Sequence, residues 1–167
     1  MSGIIFVLIL RLTSPLSIFY WPLSGGILAI TADFYDFVIL EYLGWGGLDF
    51  PTYQKADKIL DSYYLAIEFI VTRRLRDNLA KRLFAVLFGW RLAGVMIFEF
   101  TGAREALFFA PNVFEVVFLL FYLVKKFHPR FHMENNWKLI FVIVVIGFLK
   151  LLHEYNLHVD NLFELFR

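Results

Sequence analysis

The chain contains no cysteine. Disulfides, thiolate metal sites and thiol catalysis are thereby excluded, and the redox compartment leaves no trace in the sequence. Other chemical signatures are missing too. There is no glycine-rich phosphate cradle, no GxSxG elbow, no HExxH pair, no nucleic-acid motif, no internal repeat and no low-complexity tract. An excess of one charge is also lacking: 16 Lys and Arg stand against 15 Asp and Glu, a formal net charge of +1, so only the placement of charge is informative.

What is there is apolar surface. Of the 167 residues 60% are hydrophobic and 20% aromatic, with a mean hydropathy of +0.67. Soluble domains run at about 45–50% apolar, so the composition is that of an integral, multi-pass membrane protein with the lipid bilayer as its first partner. Hydrophobic runs of spanning length predict an all-α polytopic membrane helical bundle of about five transmembrane helices, at 24–43, 53–72, 79–101, 104–124 and 137–155. Residues 1–22, broken at Pro15 and Pro22, read as an interfacial or half-inserted helix. They have neither the basic start nor the small-residue cleavage site of a signal peptide. Residues 23–157 form the bundle and 158–167 a short amphipathic tail.

The basic residues set an orientation. Nine of the sixteen Lys and Arg lie in the connections 73–82 and 125–138, which the positive-inside rule places in the cytoplasm, with the Gly44–Thr52 loop and the C-terminus outside. The same basic loops are candidates for anionic lipid contacts. His128 and His132, four apart in one of them, lack the further ligands of a metal site.

Against this background the buried charges stand out. Asp33 and Asp36 lie in the first span, where a carboxylate is costly. In the second span Asp57, Asp61, Tyr64 and Glu68 follow at steps of four, three and four, one helical face that must point into the bundle. At a rise of about 1.5 Å per residue, Asp36, Asp61, Arg91, Asn112, Glu115 and Lys150 lie about 8–16 Å from the outer ends of their spans, with Asp33 somewhat deeper. This predicts a polar layer in which four carboxylates outnumber two bases; on a purely structural reading Arg91 and Lys150 pair with two of the acids and staple the bundle together. Pro111 is expected to kink the fourth span and, with Asn112, to offer freed oxygens.

Surplus buried acids suit movement or sensing of a small cation or proton, with Asp36 and Asp61 as the ion-binding pair and Arg91 as internal counter-charge. An enzymatic or ligand-binding alternative uses two carboxylate pairs, Asp33 with Asp36 and Asp57 with Asp61, to hold a divalent cation that bridges phosphate oxygens, while Arg91 and Arg104 clamp the anion. A third reading is a non-catalytic accessory subunit of a membrane complex, and a homo-oligomer or larger assembly would serve any of the three.

The two acid pairs resemble the CDP-alcohol phosphatidyltransferases, whose signature places paired acids on two successive membrane helices. The likeness covers Asp33, Asp36, Asp57 and Asp61 only. Phe37 stands where that pattern has a glycine, no Ala-Arg pair follows, the gap between the pairs is longer, and the orientation read from the basic loops is opposite.

Overall fold

The computed structural model describes residues 2–43, 50–102, 106, 109–133, 141, 142, 144, 145 and 147–149. Every regular element among them is helical. Helix α1 (Ser2–Thr13) runs into a 3₁₀ turn (Ser14–Phe19), followed by α2 (Pro22–Leu43), α3 (Phe50–Thr72), α4 (Asn78–Thr101) and α5 (Val113–Phe127). The described residues between 141 and 149 are also helical.

Local chemistry explains the boundaries. Pro15 cannot continue α1 because it lacks the N–H and crowds the preceding turn, so the chain tightens into the 3₁₀ turn. Pro22 opens α2 in the position where a missing N–H costs nothing. Asp77 caps α4: its carboxylate accepts the Ala80 N–H at 3.0 Å. At the other end Gly102, at φ 69°, takes the left-handed conformation and returns its N–H to Phe98 at 2.7 Å.

Two helices, α2 and α4, are long and apolar enough to cross a membrane. Within those windows only 33% and 22% of the residues are buried inside the protein. A core helix of a soluble protein would bury most of that surface, so this exposure fits lipid contact. Helix α3 has spanning length but carries Lys55, Asp57, Lys58, Asp61 and Glu68, and α5, at 15 residues, falls short of the roughly 20 that a hydrocarbon core requires. The continuous helix expected over 104–124 is not formed. Pro111 and Asn112 are non-helical and α5 starts only at Val113, so the proline breaks the segment where a kink was expected. Most of the expected fifth span, with Lys150, and the tail 158–167 lie outside the described residues, as does Arg104.

The chain divides into two compact units, Met1–Leu75 with Phe118–Pro129, and Arg76–Val117 with Arg130–Arg167. In the first, α2 packs on the 3₁₀ turn through Gly25, where an added Cβ would lie 2.6 Å from the Ile18 backbone nitrogen. Ile18, Leu40, Leu65, Ile67, Phe118 and Phe121 form its core. In the second, Ala80, Phe84, Val95, Phe114 and Met133 are buried, with the Phe84 and Phe114 rings edge to face at 5.4 Å.

Candidate functional site: four aspartates around Arg11

Helix α1 brings Arg11, in its last turn, to α2 and α3. Its side chain is 3% exposed. One terminal nitrogen, Nη1, donates to Asp33 Oδ1, to Asp36 Oδ2 at 2.6 Å and, longer, to Asp57 Oδ1 at 3.4 Å. The other, Nη2, donates to Asp61 Oδ1 at 2.8 Å. A guanidinium stays charged in proteins and presents a planar fork of donors, which is why a single side chain can serve four carboxylates.

Two further groups complete the cluster. Tyr53, in the first turn of α3, donates its hydroxyl to Asp36 Oδ1 at 2.7 Å. Lys58 bridges Asp57 Oδ2 at 2.8 Å and Asp61 Oδ2 at 3.3 Å. Asp36 is therefore approached on both oxygens and is buried, whereas Asp33, with a side chain 44% exposed, forms the open edge. Four carboxylates meet two cations, which leaves two negative charges in excess when all are ionised. Oxygens of Asp33, Asp36 and Asp57 lie within 4.8 Å of one another.

No family model, curated protein or solved structure matches the chain.

The remaining residues of the expected polar layer behave differently. Arg91 does not pair with an acid among the described residues; it is buried and its Nη1 donates to the Ala110 carbonyl at 2.8 Å. Its neighbour Trp90 donates to the Phe109 carbonyl at 2.9 Å. Two successive side chains of α4 thus take up carbonyls just ahead of the break at Pro111, which a membrane helix could not leave bare. Asn112 and Glu115 are partners of each other at the start of α5: the Asn112 carbonyl oxygen accepts the Glu115 N–H at 3.4 Å and its amide donates to the Glu115 carboxylate. That is the pattern of a helix cap. Among the described residues the cations that face the aspartates are Arg11 and Lys58, not Arg91.

The acidic face of α3 does turn inward. Asp57 and Asp61 reach Arg11, while Tyr64 and Glu68, both buried, are joined by a 2.8 Å hydrogen bond from the phenol. Sequence reasoning missed Arg11, Tyr53 and Lys58. The signal for Arg11 was available: a lone charge inside the apolar run 3–13 is as anomalous as an aspartate inside α2. Tyr53 and Lys58 gave none, since an interfacial tyrosine and a surface lysine are ordinary near a helix start.

Proposed function

We propose that this chain is a multi-pass membrane protein in which Asp33, Asp36, Asp57 and Asp61 hold a divalent cation and, through it, the phosphate of a lipid or other phosphate-bearing compound. The observation that carries this reading is the meeting of two aspartate pairs from successive helices, with three carboxylates offering oxygens within 4.8 Å of one another. Hard cations bind oxygen at about 2.0–2.6 Å, so two ligands of one ion lie at most about 4–5 Å apart. The acids also carry the surplus charge that such an ion would neutralise.

A cation held there would polarise phosphate oxygens and stabilise charge developing on them. Arg11 contacts all four aspartates, and with a divalent ion on the carboxylates its fork of donors would be suited to hold the phosphate. Movement of a cation or proton draws on the same surplus acids. That reading has less support, because Arg91, Asn112 and Glu115, which were to extend the layer, are engaged in local capping.

Titration of the purified, detergent-solubilised chain with Mn²⁺, followed by electron paramagnetic resonance, tests the proposal. Saturable binding is expected, weakened about 10–100-fold in Asp36→Asn and in Asp57→Asn. Arg11→Gln should bind the ion more tightly than the wild type, since it removes the competing cation. Absence of saturable binding, or binding that ignores both aspartate substitutions, overturns the reading.

A further inference from the structure

The first unit carries a second charged cluster, of opposite sign and unconnected with the aspartates by any described contact. Arg73 and Arg74 follow the C-terminus of α3 and are exposed; Lys125 and Lys126 occupy the last turn of α5. Three of these cations lie over phenylalanine rings: Arg74 over Phe19 at 5.2 Å, Lys125 over Phe121 at 5.5 Å and Arg73 over Phe69 at 5.9 Å. The helices that end in these two basic pairs meet at Gly26 of α2, where an added Cβ would lie 3.4 Å from Glu68 Oε1 of α3 and 2.9 Å from Leu119 Cδ2 of α5.

The surroundings are amphipathic. Tyr20 and Trp21, next to Phe19, are 80% and 66% exposed, and Phe127, next to Lys126, is 70% exposed. Leu16 and Leu123 add exposed aliphatic surface. Rings that hold a cation on one face keep its charge at a fixed level above apolar surface. Exposed Trp and Tyr beside basic residues are the composition of a membrane interface, and basic clusters there attract anionic headgroups. A soluble polyanion would use the charges and leave Leu16, Leu123 and Phe127 in water.

We infer that Arg73, Arg74, Lys125 and Lys126, framed by Tyr20, Trp21 and Phe127, form a docking surface for the headgroups of anionic lipids in the bilayer. This rests on the membrane part of the proposed function and not on the metal, so failure of Mn²⁺ binding leaves it standing.

The test is lipid retention by the full chain in nanodiscs of equal phosphatidylglycerol and phosphatidylcholine, counted by native mass spectrometry after release. Phosphatidylglycerol should be retained at least about tenfold over phosphatidylcholine, and 0.5 M NaCl should remove most of that preference. Substitution of all four cations by glutamine should bring the two lipids to parity, while Lys55→Gln, on α3 and outside both basic connections, should not. Should the fourfold variant fail to fold, Lys125→Gln with Lys126→Gln alone should lower the preference several-fold, and Arg73→Lys with Arg74→Lys should keep it. Equal retention of both lipids, a preference indifferent to salt and to these substitutions, or tighter binding of an RNA oligonucleotide than of phosphatidylglycerol would each overturn the inference.

Discussion

Arg11 has four carboxylate neighbours and almost no water, so its removal strands charge that the fold otherwise balances. Breaking a buried pair by deleting one partner typically costs about 3–5 kcal/mol, and the partial exposure of Asp33 places the expected loss for Arg11→Gln near the lower end, about 3 kcal/mol. Thermal unfolding in detergent measures it. Adding Asp36→Asn to that variant should recover part of the loss, with a coupling of about 1–3 kcal/mol in the double-mutant cycle; simple additivity would mean that the two residues do not communicate. Tyr53→Phe probes the same acid from α3. It leaves one Asp36 oxygen without its donor and should cost about 1.5–3 kcal/mol, the usual worth of a hydrogen bond to a charged group.

Among the helices, α2 depends on a close approach and α4 on its first residue. A methyl group at Gly25 would meet the Ser17 and Ile18 backbone, which cannot rotate away as a side chain could. Gly25→Ala is therefore expected to destabilise by about 1–3 kcal/mol, measured by chemical or thermal unfolding. Asp77 caps α4 through Ala80 and accepts the Met133 N–H on its other oxygen, both within the second unit. Asp77→Ala should cost about 1–2 kcal/mol, and Asp77→Asn, which keeps one acceptor oxygen, clearly less. Sequence reasoning passed over this cap, although an aspartate just ahead of an apolar run is the ordinary signal for one. The fate of Pro111 had no such signal. Whether a proline kinks or ends a helix depends on what receives the freed carbonyls, and here Trp90 and Arg91 receive those at 109 and 110.

For the chain as a whole, the absence of cysteine turns a compositional gap into an experimental advantage, because any introduced thiol reports a single position. The orientation expected from the positive-inside rule has Arg76→Cys reacting with an impermeant maleimide only from the cytoplasmic side and Thr52→Cys only from the other. Labelling of both from one side would reject the orientation, and with it the side from which the aspartates are reached. The helical class and the apolar character were legible in the sequence, because both follow from composition and from the length of the hydrophobic runs. The assignment of charges to partners was legible only in part. The inward turn of the α3 face followed from its spacing, but depth along a span did not reveal that Arg91, Asn112 and Glu115 serve helix ends.

By itself, then, the sequence determined that this protein is helical, that its composition is far more apolar than that of a soluble domain, and that the acidic face of α3 turns toward protein; these are properties of single segments and their periodicity. Tertiary structure alone decided which cation meets those acids. The pairs join residues 22 to 50 positions apart, and their formation depends on how the Pro15 turn returns α1 against α2 and α3. No local pattern encodes that return, since the electrostatic preference of a carboxylate is the same for Arg11 as for Arg91 and only packing distinguishes them.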